Sequence, residues 1–188
     1  MKKAERTDRE RVVTILTNSF HDNKSVNHLI PQDNKRMQRI KLLMDYAFDV
    51  CMLYGDVWLA DNNLACALFV KPGKKRTTLQ SVLLDIKFAI RCLGVGNIKK
   101  AMSREAAISK VHPPGPLYYL WFIGVDPVHQ HQGIGSELMR EILEEATKQK
   151  RIVCLETSTL KNIPWYEKLG FTIYHQLDFG YKLFCMKK

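Results

Sequence analysis

A short segment with two glycines is the first part of the chain whose residue types and spacing suggest chemistry. Residues 130–135 read Gln-His-Gln-Gly-Ile-Gly, and they lie between an apolar run ending at Val125 and an amphipathic stretch. Glycines let a backbone approach a phosphate closely, while the first N–H groups of a helix and its dipole favour an anion. Ser136 adds a hydroxyl donor. The segment predicts a pyrophosphate cradle, although glycine also serves turns and close packing.

Two stretches together resemble a known enzyme superfamily. Residues 125–135, Val-Asp-Pro-x-x-Gln-x-x-Gly-Ile-Gly, resemble the acetyl-coenzyme A (acetyl-CoA) motif of the GNAT superfamily of N-acetyltransferases. They lack the Gly-Lys-Ser/Thr of a P-loop and the third glycine of a dinucleotide fingerprint. Residues 155–171, ending in Tyr-x-x-x-Gly-Phe, resemble that superfamily's strand-then-helix segment. Asn162 lies four residues before Tyr166, as in puromycin-type acetyltransferases, whereas many members carry asparagine where this chain has Thr159.

The resemblance implies the GNAT fold, of the α/β (α+β) class. In that fold, a mixed central β-sheet is flanked by helices and contains a splayed parallel strand pair, here 117–125 and 152–155. The pantetheine arm of acetyl-CoA would enter the gap and pair with the backbone of Ile123, Gly124 and Val125. A backbone N–H at this position would polarise the thioester carbonyl, an effect worth about 10²–10³ in rate. An amine would then attack directly in a ternary complex.

The resemblance also implies roles for individual side chains. Tyr166 occupies the general-acid position and would protonate the departing thiolate. Glu156 is the leading candidate for the base that deprotonates the substrate ammonium, and pairing of Glu156 with a lysine or arginine is an equal alternative. Asn162 would contact the pantetheine arm or cap a helix. The residues expected to bind acetyl-CoA are Ile123, Gly124, Val125, Gln130, His131, Gln132, Gly133, Ile134, Gly135, Ser136, Asn162 and Tyr166.

The elements that must position these residues follow from hydrophobic periodicity and turn residues. Apolar residues near helical spacing predict helices over 8–20, 34–53, 79–93, 98–110, 133–147 and 163–169. Runs rich in β-branched and aromatic residues predict strands over 57–60, 65–70, 117–125, 152–155, 171–176 and 179–186. The first two strands form a hairpin, and the C-terminal half has the order β-α-β-α-β-β, which is typical of a mixed sheet.

The expected domain organisation is one N-acetyltransferase domain over residues 1–188. Within it we expect an acetyl-CoA-binding core at 117–176 and a helical insertion at 77–112. The N-terminal half is expected to build the acceptor pocket. Residues 20–30 and the helix predicted at 79–93 are its main candidates, and both could equally be core or a dimer surface.

Composition places further bounds on function. A net charge of +10 fits an anionic partner or, equally, a role in solubility alone. The dense basic cluster of Lys71 and residues 74–76 is expected to be a solvated loop, as is His112. No apolar run reaches the roughly 20 residues of a membrane span. Five widely spaced cysteines without a CxxC pair suggest neither a zinc site nor disulfides. With no apolar leader at the N-terminus, these features predict a cytoplasmic protein without a metal, membrane contact or specific nucleic-acid partner.

The sequence therefore predicts an acetyl-CoA-dependent N-acetyltransferase acting on a primary amine of a small molecule, with a homodimer as one option. One alternative is a protein acetyltransferase that acts on lysine or an N-terminal amine. Another is a non-catalytic module that binds acetyl-CoA and regulates another activity. A nucleic-acid binder is suggested by charge alone, because the chain has no base-reading motif.

Overall fold

The computed structural model describes residues 1–188, apart from the side chain of Val95. The helices are α1 (Arg9–Phe20), α2 (Lys24–Leu29), α3 (Arg36–Tyr54), α4 (Leu79–Phe88), α5 (Val95–Val111), α6 (Ile134–Lys148) and α7 (Ile163–Lys168). The strands are β1 (Lys2–Lys3), β2 (Gly55–Leu59), β3 (Ala65–Val70), β4 (Leu117–Val125), β5 (Ile152–Thr157), β6 (Thr172–Asp178) and β7 (Lys182–Lys187).

The strands form one mixed sheet in the order β1-β2-β3-β4-β5-β7-β6. Neighbouring strands run antiparallel, except that β4 and β5 are parallel. A parallel pair needs a crossover connection, and α6 supplies it. The predicted fold class and the β-α-β-α-β-β order of the C-terminal half are thereby confirmed.

Helices cover both faces of the sheet. On one face, α1 and α3 pack with inward side chains of β2 to β4 into a first core. On the other face, α6 buries Leu138, Ile142 and Ala146 in a second core, as its four-residue apolar spacing predicts. Side chains alternate along a strand, so Tyr119 enters the first core and Tyr118 the second. Strand β4 thus lies between two apolar layers, at the middle of the domain.

The parallel strands β4 and β5 separate towards their carboxyl ends. Their pairing stops where Leu120 lies opposite Leu155. Strand β4 nevertheless continues to Val125, and β5 continues to Thr157. The predicted splayed pair is therefore present, with its gap beginning beyond Leu120.

A β-bulge marks the point at which the two strands part. Leu68 pairs with Phe122 and Phe69 pairs with Leu120, so Trp121 is an extra residue on β4. A bulge bends its strand and increases the local twist. The bend carries the second half of β4 along β3 and away from β5, which opens the sheet.

The helix predicted over residues 79–93 is not α-helical throughout. Its α-helical part ends at Phe88 and continues as a single π-helical turn, Ala89–Leu93. Cys92 and Leu93 are buried in that turn, whereas α4 has no buried residue. The wider turn changes the phase of the helix and directs these two side chains inward. Helix α5 then begins at Val95, earlier than its predicted start at residue 98.

The last two strands also differ from the prediction. Strand β6 extends to Asp178, and β7 begins at Lys182 rather than at residue 179. Gly180 has φ +79°, and its N–H donates to the Asp178 side chain at 2.8 Å, so residues 179–181 form the turn. The two-residue strand β1 and helix α2 were not predicted, because neither is long enough to show a periodic pattern.

The prediction that Lys71 lies in a solvated loop was wrong. Its side chain is 9% exposed, and its Nζ lies 2.5 Å from the carboxylate of Asp56. The same carboxylate accepts hydrogen bonds from Lys3 Nζ at 2.8 Å and from the Tyr118 hydroxyl at 2.9 Å. Burial tends to raise the pKa of Asp56, but these three donors lower it overall. Lys71 therefore belongs to a buried polar network next to β2 and β4.

None of the helices described is long and apolar enough to cross a bilayer. All five cysteines are buried as free thiols. Across the described residues, no group of three or more His, Cys, Asp or Glu side chains is arranged to hold a metal ion.

Candidate functional site

The segment before α6, residues 130–133, has the backbone geometry of an anion site, and we call it the cradle loop. His131 and Gly133 both have a positive φ, at 63° and 83°, which turns the backbone into the helix. In the described chain, the N–H groups of His131, Gln132 and Gly133 have no backbone acceptor. The loop is exposed, so these donors are available at the N-terminus of a 15-residue helix. Such an arrangement favours phosphate binding.

The two glycines of the motif serve different purposes. A Cβ on Gly133 would meet no protein atom within 4 Å, so the space above this residue is open to a ligand. A Cβ on Gly135 would lie 3.0 Å from Cγ2 of Val125 and 4.0 Å from the Trp165 ring. Gly135 therefore allows α6 to pack closely on β4, and Gly133 is the glycine that leaves room for a phosphate.

The polar side chains around the cradle loop are held by neighbouring groups. Gln130 Nε2 donates to the Val125 carbonyl at 3.3 Å, which ties the loop to the end of β4. Ser136 Oγ accepts a hydrogen bond from Trp165 Nε1 at 2.7 Å and keeps its own proton to donate. Trp165, which the sequence did not single out, thus connects the first turn of α6 to α7.

The gap between β4 and β5 opens into a cleft of about 680 Å³. Its walls come from the ends of β4 and β5, the start of α7, and helices α1 to α5. Of the predicted site residues, the cleft is lined by Ile123, Glu156, Asn162 and Tyr166. Gly124 lies against α1 instead, because a Cβ there would be 3.0 Å from Ser19 Oγ. Most of the predicted residues therefore lie in two places, the cradle loop with the first turn of α6 and the cleft, while Gly124 lies against α1.

Tyr166 lies where the start of α7 meets the cleft. Its side chain is 5% exposed and packs edge-on against Phe171, with ring centroids 5.7 Å apart. The described residues offer its hydroxyl no hydrogen-bond partner, and burial raises the pKa of the phenol well above its usual value. The phenol is therefore protonated through neutral and alkaline pH, and it can donate a proton to a group in the cleft.

Glu156 faces the opposite side of β5 from Leu155 and reaches the cleft. Its side chain is 4% exposed, and its Oε2 accepts a hydrogen bond from the Tyr119 hydroxyl at 2.6 Å. The Nε2 of His112 lies 3.6 Å from its Oε1. Among the described residues no lysine or arginine lies within 4 Å of Glu156, so the predicted alternative of such a pair was wrong.

His112 is not the solvated residue that the sequence suggested. Its side chain is 12% exposed and lies against Tyr119, with ring centroids 5.0 Å apart. A tyrosine and a histidine therefore flank the Glu156 carboxylate. Positioned in this way, the carboxylate can accept a proton from a group bound in the cleft.

Asn162 occupies the N-cap position of α7, but its side chain makes no capping hydrogen bond. The capping alternative was therefore wrong, and the side chain lines the cleft beside Thr159. Contact of Asn162 with the pantetheine arm stays a prediction.

Aromatic side chains line the outer half of the cleft. Tyr46 and Phe88 stack with ring centroids 4.1 Å apart, and Trp121 meets Tyr46 edge-on at 6.0 Å. The Tyr46 hydroxyl donates to Asp85 at 2.6 Å, at the rim. Both segments that the sequence proposed for the acceptor pocket, residues 20–30 and 79–93, line the cleft. The first contributes Phe20, Asn23, Ser25, Val26 and Leu29, and the second contributes Asp85, Phe88, Ala89 and Leu93. This part of the cleft thus has a wall of aromatic rings, and the charged side chains of Asp85 and Arg104 line it as well.

Comparison with a family model agrees with the site. Residues 89–173 match the model described as acetyltransferase (GNAT) domain. The match spans β4, the cradle loop, α6, β5 and α7. The first 88 residues, which build much of the outer cleft, lie outside it.

One protein resembles this chain in sequence, and solved structures share its fold at low sequence identity. A probable serine/threonine-protein kinase of Dictyostelium discoideum is 29% identical over 147 residues, or 72% of this chain, and the chain spans 15% of that protein. A structure described as histone acetyltransferase HPA2 and related acetyltransferase, from Corynebacterium glutamicum, is 18% identical with a TM-score of 0.70, covering 100% of this chain and 93% of that one. Arylalkylamine N-acetyltransferase 2 from Aedes aegypti is 14% identical with a TM-score of 0.64, covering 100% and 96%.

Proposed function

Because this chain belongs to the GNAT acetyltransferases, we propose that it transfers the acetyl group of acetyl-CoA to a primary amine of a small molecule. One observation carries this proposal. A single cleft joins Tyr166 and Glu156 to an aromatic outer end, and it begins in the gap between the split strands. Transfer by direct attack in a ternary complex suits this arrangement, because both substrates can lie in the same cleft.

The residues present fit acetyl-CoA. The free N–H groups of the cradle loop and the open space above Gly133 suit its pyrophosphate. Beyond the bulge at Trp121, β4 has no pairing with β5, so its backbone can hydrogen-bond an extended arm. When bound, acetyl-CoA supplies the acetyl group as a thioester. A β4 N–H directed at the thioester carbonyl would contribute about 10²–10³ in rate.

Two side chains of the cleft handle the protons. Glu156 receives the proton of the substrate ammonium, either directly or through water, while Tyr119 fixes the orientation of the carboxylate. Tyr166 gives its phenolic proton to the departing sulfur, because its hydroxyl lines the cleft and no described side chain competes for that proton. The base, Glu156, lies on β5 and the acid, Tyr166, lies on α7, and both line the same cleft. One can therefore act on the attacking amine while the other acts on the departing sulfur.

The outer cleft favours a small amine with an apolar or aromatic body. Its walls are the rings of Tyr46, Phe88 and Trp121, and helices α2, α4 and α5 surround it. The likeness to an arylalkylamine N-acetyltransferase supports the same class of acceptor. Within the superfamily, the resemblance to puromycin-type acetyltransferases depends on the position of Asn162. This residue lines the cleft, which is compatible with that resemblance.

We further propose that residues 1–188 form one acetyltransferase domain. Within it, residues 117–176 would bind acetyl-CoA, and residues 77–112 would form an insertion. The insertion corresponds to α4, the π-helical turn and α5, which line the outer cleft. Its contribution would therefore be to acceptor selection rather than to the binding of acetyl-CoA.

Acetyl-CoA should raise the melting temperature of the protein, because a ligand that binds only the folded state stabilises it by mass action. At 100 times Kd the stabilisation is about 2.7 kcal/mol, which corresponds to roughly 5–10 °C for a chain of this size. Differential scanning fluorimetry measures the shift, with inorganic pyrophosphate at equal concentration as the control for charge. An unchanged melting temperature at saturating acetyl-CoA would refute the proposal.

Replacing Glu156 with glutamine should lower kcat/KM at neutral pH by about 10²–10⁴, the usual contribution of a general base. The loss should narrow as pH rises towards the amine pKa of about 10, because free amine then needs no base. Steady-state assays at several pH values measure both effects. The matched control is Glu167→Gln, an exposed glutamate on α7. Equal rates for wild type and Glu156→Gln at neutral pH would assign deprotonation to solvent.

A further inference from the structure

Arg104 extends from α5 into the outer cleft, and neutral groups hold its side chain there. Its Nη2 donates to Ser25 Oγ at 2.6 Å, and its Nε donates to the Tyr181 hydroxyl at 3.2 Å. The Tyr181 hydroxyl in turn donates to Ser25 Oγ at 3.2 Å. The Phe179 ring centroid lies 6.0 Å from the guanidinium carbon. Residues from α2 and from the β6–β7 turn thus fix the orientation of the guanidinium.

The guanidinium has no counter-ion among the side chains that the structure describes. No carboxylate lies within 4 Å of it, and its two hydrogen bonds go to hydroxyl groups. Of its five N–H groups, the remaining ones, including both on Nη1, are available to a ligand. A largely buried cation without a partner is costly, so such a group in a cleft is expected to bind an anion.

The charges around Arg104 support an anion at this position. Burial, followed by the nearby cations Lys100 and Arg104, lowers the pKa of His28, which packs edge-on to Tyr181 at 5.0 Å. Burial tends to lower the pKa of Arg104 itself, but Tyr181, Tyr119 and Glu156 raise it overall. Lys100 and Arg104 thus bring positive charge to this end of the cleft, while the carboxylates of Glu105 and Glu156 also line the cleft.

We propose that Arg104 binds a carboxylate of the acceptor, so that the substrate is an amino acid with an apolar or aromatic side chain rather than a simple amine. This inference rests on the proposed acetyltransferase function. The fork of a guanidinium matches a carboxylate in two parallel hydrogen bonds. The ammonium of the same molecule would face Glu156, and its side chain would lie among the aromatic rings. Lys75 also lines the cleft, but Arg104 is the cation that hydrogen bonds hold in a fixed orientation.

Matched pairs of acceptors test this inference in the unaltered protein. Phenylalanine and phenethylamine differ only in the carboxylate, and so do tryptophan and tryptamine. We expect kcat/KM to be about 10- to 100-fold higher for the acid of each pair, the effect of a charge-assisted hydrogen bond. Calorimetric titration in the presence of coenzyme A should show phenylalanine binding more tightly than phenethylamine. Equal values within both pairs would overturn the inference and leave the proposed function standing.

Two variants test whether Arg104 binds the carboxylate of the acceptor or only supports the structure of the cleft. In Arg104→Gln, the preference for the acid should disappear, because kcat/KM falls for phenylalanine but not for phenethylamine. Tyr181→Phe removes one hydrogen bond to Arg104 without removing its charge, so the preference for the acid should remain. A preference that survives in folded Arg104→Gln would also overturn the inference. Failure of every amine and amino acid to be acetylated would instead overturn the proposed function itself.

Discussion

The variant Gly133→Val is expected to lose acetyl-CoA binding while the protein remains folded. The glycine has φ +83°, and a side chain here would meet no protein atom within 4 Å. Valine would therefore fill the space above the free N–H groups of the cradle loop, where the pyrophosphate is proposed to bind. Loss of two or more charge-assisted hydrogen bonds should weaken binding by about 100-fold or more. Isothermal titration calorimetry with acetyl-CoA measures the change.

The matched control for this variant is Gly180→Val. Gly180 has nearly the same backbone conformation, with φ +79°, and a side chain there would also meet no protein atom within 4 Å. It lies in the turn between β6 and β7, far along the chain from the cradle loop. Both variants carry a strain of about 1–3 kcal/mol, so they should lose similar stability. Acetyl-CoA binding that is equally strong in both folded variants would contradict the assignment of the phosphate site.

The second large effect is expected for Tyr166→Phe. Removing the phenolic proton should lower kcat by about 10²–10⁴, the contribution of a general acid, with acetyl-CoA affinity largely unchanged. Because burial raises the pKa of Tyr166, the phenol stays protonated as pH rises. The wild-type rate should therefore not fall at alkaline pH through titration of this residue. Steady-state kinetics, calorimetry and a pH profile of kcat measure these three quantities.

Tyr174→Phe is the matched control for the loss of a hydroxyl. Tyr174 lies on β6, and its buried hydroxyl has no hydrogen-bond partner among the residues described. Burial raises its pKa as well, so the two tyrosines are similar in chemistry but only Tyr166 lines the cleft. The control should keep wild-type turnover. A Tyr166→Phe enzyme that also keeps wild-type kcat would show that another group, or water, protonates the sulfur.

Local sequence patterns predicted the elements that are proposed to bind the cosubstrate. Strand β4 was predicted with its observed bounds because its nine apolar and aromatic residues form a continuous run. Helix α6 was predicted within one residue at each end, because its apolar residues recur every fourth position. The resemblance to a family added residue roles, such as that of Tyr166, which periodicity cannot give. These signals lie within about 20 consecutive residues, where spacing alone defines a face or a turn.

The sequence indicated which segments form the proposed acceptor side of the cleft, but not its individual contacts, since these join residues that are far apart in sequence. Arg104 meets Ser25 across 79 residues and Tyr181 across 77 residues. The burial of His112 beside Glu156 likewise depends on how α5 ends against β5. The bulge at Trp121 leaves no trace in the composition of β4, because it arises from the register with β3. Such contacts follow from tertiary packing, which a single sequence does not encode in any local pattern.

The measurement that tests the central claim most directly is an amine-panel assay with acetyl-CoA as the donor. Free thiol released from acetyl-CoA is recorded for each amine, and the product is identified by mass spectrometry. We expect thiol release that depends on a primary amine, with an N-acetylated product in equal amount, and best rates for small molecules with apolar or aromatic bodies. Thiol release at the same rate with and without amines, and no acetylated product across the panel, would contradict the claim that this chain is an N-acetyltransferase of small molecules.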